Sequence, residues 1–234
     1  MEFEYPQVIY LDITDDDSDI SLERPPDHTD QQEYTMRDRG SSGVVYVNEP
    51  SNSCIKMILY PLGISDDDIK DQYTQRYVNE VRLQNISNTN GFAPAIHRNF
   101  RTKITINGTE YDVYVIVMDY LNPAQWRNMV PGEITNDIIQ NFVTKTKLYN
   151  DVDPYNHFYQ RTNGEGTGQI VMIDYGHVKE CKTQKPKLNI NQCSNRMFLK
   201  FKSGGSKLKK NRRKSKKGKK YSLRKKKRTL KYKL

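Results

Sequence analysis

The chain has 234 residues, enough for one domain or two small ones, and its hydrophobic fraction of 35% is low enough that part of it is expected to lie outside any core. The net charge of +10 conceals an asymmetry: residues 203–234 hold 13 Lys and 4 Arg with no Asp or Glu, which leaves 21 basic and 28 acidic residues, a net of −7, for the remainder. That excludes a uniformly basic protein, and three scattered cysteines (Cys54, Cys181, Cys193) exclude a disulfide framework or a cysteine zinc site.

Free thiols in a reducing compartment are the expectation from those cysteines. The N-terminus MEFEYPQVIY is acidic and has no apolar h-region, so no signal peptide is expected. No apolar run approaches the roughly 20 residues that span a bilayer. A soluble intracellular protein, cytoplasmic or nuclear, is expected.

In chain order, EYPQVIYLDI is strand-like, and the acidic stretch TDDDSDISLERPPDHTDQ reads as disordered or loosely attached. Val44–Val47 and Cys54–Leu59 are β-rich runs around the turn-forming NEPSNS, which predicts a hairpin. Ser65 can cap a helix whose first turn is acidic and whose stripe is Ile69, Tyr73, Tyr77, Val81 and Leu83–Gln84. A second hairpin is marked by ITI and YDVYVIVMDYL on either side of Asn107-Gly108. Another helix is predicted over about 135–148, capped by Thr135 or Asn136. The short strands HFYQ and QIVMIDY flank the Gly-rich RTNGEGTG. Past Lys182 the pattern fades, and from Ser203 the chain is a solvated basic tail.

Laid end to end, these elements give a Gly turn between strands, a Lys on a strand, a Glu on a helix, a long strand and two Asp-bearing loops. From about Arg37 to Val178 this order resembles the protein-kinase-like superfamily. In GSSGVVY, Gly40 and Gly43 are spaced like the last two glycines of the family's Gly-rich loop, with Val45 in the place of its valine and Asp38 where the first Gly would stand. CIKMI resembles V-A-I-K and makes Lys56 the candidate phosphate anchor, with Glu80 of VNEVRLQNI as its helix partner. YVIVMDYL resembles the strand entering the hinge, where backbone groups near Asp119 and Leu121 would face the adenine edge.

The run YNDVDPYN resembles the catalytic loop H-R-D-L-x-x-x-N: Asp151 matches the base and Asn156 a magnesium ligand. IVMIDYGHV resembles the strand and D-F-G element, with Tyr175 for Phe and Asp174 as the other magnesium ligand. His157 reads as a strand residue.

The resemblance implies an α+β fold: an antiparallel-sheet N-lobe with one helix, a reduced helical C-lobe and a disordered basic tail. The implied boundaries are 1–33 (acidic segment), 34–120 (N-lobe), 121–202 (reduced C-lobe) and 203–234 (tail). It also implies ATP and Mg²⁺ as cofactors and a protein Ser/Thr substrate. Two departures qualify the match. Tyr149 stands in the place of the family His, and Asp153 where Ser/Thr kinases usually carry Lys. No A-P-E-like element follows Gly176. An inactive pseudokinase, a nucleic-acid-binding structural protein and a small-molecule kinase therefore stay open as alternatives. The tail suits DNA, RNA, an import receptor or an acidic membrane surface, with nucleic acid first. It resembles basic tails on proteins of large DNA viruses, which would place the protein in a host cell or virion.

Overall fold

The computed structural model describes residues 5–12, 20–22, 31–40, 43–60, 67–130, 132–150, 157–182 and 188–199. Asp151, Asp153, Asn156, Ser65 and the tail 203–234 lie outside these residues.

Seven strands form one antiparallel sheet: β1 (Val8–Asp12), β2 (Ile20–Ser21), β3 (Gln31–Gly40), β4 (Gly43–Asn48), β5 (Ser53–Tyr60), β6 (Ile96–Ile106) and β7 (Thr109–Asp119), in the order β2-β1-β3-β4-β5-β7-β6. The sheet curls enough for β2 to approach β6. Alternation along the strands sorts the side chains. Ile9, Leu11, Tyr34, Val44, Tyr46, Ile55, Met57, Ile104, Val113, Val115 and Val117 fill one face as a continuous core. The register Val45↔Lys56↔Ile116 belongs to the other face. The β6–β7 hairpin turns on Asn107 and Gly108, both at positive φ (51° and 76°), as the two-residue turn predicted from Asn-Gly requires.

Helix α1 (Asp67–Thr89) lies across that second face, where Tyr77 packs with Ile58, Tyr114 and Ile116. Its C-terminal half faces the other way too: Leu83 joins the second core. That core also takes in Phe92 and Ala93, draws the rest of its buried residues from 129–197, and is built on helix α2 (Asn136–Thr146), capped by the Thr135 hydroxyl, which accepts from the Ile138 amide. Around α2 stand a three-stranded sheet of β8 (Trp126–Asn128), β10 (Phe158–Arg161) and β11 (Ile170–Met172), and a ribbon of β9 (Leu148–Asn150) with β12 (Val178–Glu180). A third helix, α3, covers 190–199 and buries Cys193 and Met197. The protein is thus a mixed α+β structure with mostly antiparallel sheet. Among the described residues its second half carries five short strands beside two helices, where the sequence pointed to a helical unit.

The expectation of three free thiols is corrected. Cys181, at the end of β12, and Cys193, in α3, are joined as a disulfide with Cα atoms 6.0 Å apart, and Cys54 alone is free. Twelve residues separate the pair in sequence, so no local motif announces it. Only the docking of α3 on the β9–β12 ribbon brings the two together, and the argument for a reducing compartment loses its basis. Among the described residues no helix is long and apolar enough to cross a membrane.

Candidate functional site

Lys56 sits in the middle of β5, on the face covered by α1, and is 7% exposed. A lysine placed there by strand alternation must find acceptors, because an unpaired buried ammonium is prohibitively costly. It finds two. Its Nζ donates to Glu80 Oε1, presented by α1 and itself 1% exposed, and to Asp174 Oδ1 at 2.9 Å, presented by the loop after β11. Three elements far apart in the chain therefore converge on one ammonium.

The electrostatics follow from this geometry. Burial alone would lower the Lys56 pKa, but the carboxylates of Glu80 and Asp174 outweigh it and hold the ammonium above its usual value. Burial would likewise raise Asp174, yet the charge and hydrogen bond of Lys56, helped by His157 and His177, bring it below the usual carboxylate range. Both groups are therefore charged near neutral pH.

The Asp174 loop is held from several sides. Asp174 adopts φ 60° and ψ 76°, a left-handed conformation that a non-glycine residue keeps only when its surroundings impose it. The next three residues, Tyr175–His177, form a single 3-10 turn against α1. Tyr175 is 1% exposed and donates its hydroxyl to the Phe92 carbonyl at 3.2 Å, so its buried oxygen is satisfied. Gly176 lies against α1: a Cβ there would come within 3.2 Å of the Arg76 guanidinium and 3.3 Å of Glu80 Oε2.

At the other end, Gly43 opens β4 with φ 133°, and a Cβ would run into the Met57 carbonyl, so only glycine fits this approach of two strands. Gly40, its partner across the β3–β4 pairing, closes the preceding strand. Val45 is directly opposite Lys56. Val45 and Met118 pack around the small cluster of Val47, Cys54 and Tyr120, an apolar surface continuing from Lys56 along the sheet. Asp119 ends β7. Its amide donates to the Ala95 carbonyl (3.0 Å), its carboxylate bonds the Ala95 amide and His97 Nε2, and its carbonyl accepts from the Cys54 thiol at 3.5 Å. Leu121 follows, half-buried.

The structure thus brings together Lys56, Glu80 and Asp174, with Val45 and Gly43 on the adjoining strand. Asp151 and Asn156 lie outside the described residues, although β9 leads directly into them. Tyr149 is fully buried in β9, opposite Lys179. His157, which the sequence reads as a strand residue, stands just before β10 with its Nδ1 3.9 Å from Asp174 Oδ2.

Of the two described carboxylates here, Glu80 is buried on Lys56, and that of Asp174, a quarter exposed and ionised, is the one a divalent cation would reach. A single hard oxygen donor suits Mg²⁺, which is commonly held by one or two carboxylates together with substrate phosphates and water. Among the described residues no group of three His, Cys, Asp or Glu side chains is placed to hold a metal by itself.

No protein-family model and no curated protein matches the chain. Among solved structures it is similar to WbdD, with a TM-score of 0.40 and 15% identity, covering 64% of this chain and 34% of that one. A co-crystal structure of WbdD with a kinase inhibitor gives 0.41 and 11%, covering 74% and 46%. Vaccinia related kinase 3 gives 0.32 and 11%, covering 64% and 49%. The chain therefore spans between about a third and a half of the length of these structures. With likenesses this distant, any assignment of function rests on the side chains of the chain itself.

Proposed function

We propose that the chain is an ATP- and Mg²⁺-dependent phosphotransferase of the protein-kinase-like type, acting on protein Ser/Thr hydroxyls. The observation that carries this reading is Lys56 held between Glu80 and Asp174, a buried arrangement assembled from three separate elements. In it Lys56 supplies a fixed positive charge for the α- and β-phosphates, and Glu80 holds that charge in place. Gly40 and Gly43 allow backbone N–H groups to approach the phosphates, with Val45, the Asp119 carbonyl and the Leu121 backbone meeting the base. Asp174 and Asn156 would hold the magnesium, which when bound neutralises charge developing on the transferred phosphoryl group. Asp151 would orient the attacking hydroxyl and take its proton.

The test is phosphate transfer from Mg-ATP to generic protein substrates, beside a panel of sugars and aminoglycosides. Wild type is expected to exceed Asp151→Ala and Asp174→Ala by at least about 100-fold, the usual scale for loss of a general base or metal ligand. Equal turnover in all three proteins rules the assignment out, and transfer confined to the small molecules moves the substrate class.

A second reading, an inactive nucleotide-binding protein, draws support from Tyr149, whose buried ring stands where the family has His. Binding of Mg-ATP, seen as a rise in melting temperature, without turnover would favour it. In either case the 17 basic residues of 203–234 suit a polyanion such as nucleic acid, since each phosphate neutralised releases a counterion. A chain ending at Lys202 is then expected to lose most of its DNA affinity at low salt, and undiminished binding removes the tail from this role.

A further inference from the structure

His157 begins the return from the catalytic-loop run into β10. Its backbone carbonyl accepts the Ile173 amide at 2.8 Å, which continues the ladder that pairs Phe158 with Met172. Its side chain makes a bond the ladder does not require: Nδ1 lies 3.1 Å from the Ile173 carbonyl. A carbonyl only accepts, so Nδ1 is the protonated nitrogen. One residue therefore grips both backbone groups of Ile173, the residue immediately before Asp174. Asp174 is where the chain turns into its left-handed conformation, and its Oδ2 stands 3.9 Å from the same imidazole nitrogen. The imidazole is 16% exposed, so this bond is sheltered from competing water.

We propose that His157 is a positioning residue: by holding Ile173 through both its carbonyl and its imidazole, it fixes the backbone turn that aims the Asp174 carboxylate, and so sets the affinity of the site for a divalent cation. This rests on the phosphotransferase reading above. The imidazole takes no part in the transfer and acts through Asp174 alone. The role parallels the outer groups of metal sites generally, which orient a ligand without touching the ion and whose loss weakens metal binding about 10–100-fold.

The variants separate the bond from mere bulk. His157→Asn keeps a donor near the Nδ1 position, His157→Gln places it near Nε2, and His157→Leu has none. Imidazole ¹⁵N NMR of the nucleotide-free full chain is expected to show His157 as the Nδ1–H tautomer. An Nε2–H tautomer overturns the proposal whether or not the chain transfers phosphate. Magnesium chloride is then titrated at fixed ATP, with melting temperature as the readout. Wild type and His157→Asn are expected to reach half-saturation at the same concentration, while His157→Gln and His157→Leu need about 10–100-fold more. If His157→Leu matches wild type, or Asn and Gln behave alike, the positioning role is wrong and the phosphotransferase reading stands. If wild type shows no magnesium-dependent shift, that reading fails and this role with it.

Discussion

Two sets of charges meet at the seven-stranded sheet, one along β6 and β7 and one around Lys56 of β5, and they obey different physics. Along β6 and β7 runs a ladder of pairs: His97–Asp119 at 2.8 Å, Arg101–Asp112 at 2.6 Å and Lys103–Glu110 at 2.7 Å. Lys103 and Glu110 are 61% and 54% exposed, so water solvates both partners whether or not they meet. A pair as exposed as Lys103–Glu110 adds next to nothing to stability and fades further with salt. The trio of Lys56, Glu80 and Asp174 has similar chemistry, with side chains only 9%, 1% and 25% exposed. Taking each of those ions out of water costs several kcal/mol, which the mutual attraction offsets only while every partner is in place. Apolar residues of similar volume often do as well or better for stability. Folding alone does not explain the trio, which fits the phosphate-anchoring role proposed for it.

The largest expected effect tests that contrast directly. Lys56→Met removes the cation that hydrogen-bonds Glu80 and leaves that buried carboxylate without its ammonium partner, a loss of about 3–5 kcal/mol. For a chain of this size that lowers the melting temperature by roughly 10 °C. Adding Glu80→Met is expected to recover most of the loss, since the buried charge goes with it. A single variant that melts with wild type would mean that water reaches the trio.

The next effect lies in pH. The folded Lys56 pKa is above its unfolded value, so its contribution is full below the unfolded lysine pKa and is lost as pH rises through the folded one. The folded Asp174 pKa is below its unfolded value, so its contribution is full above the unfolded carboxyl pKa and is lost as pH falls through the folded one. The gap in melting temperature between wild type and Lys56→Met should therefore stay level between the ordinary values of 3.8 and 10.5 and narrow outside them. A gap that already closes near neutrality contradicts both shifts.

The smallest effect belongs to the ladder. Lys103→Ala should leave the melting temperature within experimental error of wild type at every pH and salt concentration. A measurable drop would show that this pair does more than sit in solvent.

How far the sequence reached depended on the range of the forces involved. The Asn107-Gly108 turn and the Thr135 cap are decided by a few neighbouring residues, and both were legible. Lys56 and Glu80 were visible through a spaced pattern whose parts sit on elements of recognisable period. Their meeting could be inferred only from the resemblance, because 24 residues and a strand-to-helix change separate them. Helix 190–199 and its disulfide were not legible: NINQCSNRMFLK follows a polar stretch, and the face it buries is defined by a partner surface elsewhere in the chain. The contact made by the His157 ring was not legible for a similar reason. Strand propensity accounts for its backbone, and nothing local reveals that its ring reaches the far side of a hairpin.

The first strand has a practical consequence for handling the protein. β1 pairs along β3 from Val8↔Thr35 to Asp12↔Gln31, and just before it the Gln7 carbonyl accepts the Met36 amide while Pro6 accepts the hydroxyl of fully buried Tyr46. Trimming the chain back to residue 31, a natural choice for removing the acidic segment, would strip the Gln31–Thr35 stretch of β3 of its cover. It would also leave a buried phenol without its acceptor. An unprotected strand edge of that length recruits other copies of itself by edge-to-edge addition. Shortened preparations are therefore expected to self-associate, and affinity tags belong ahead of the whole segment rather than in its place.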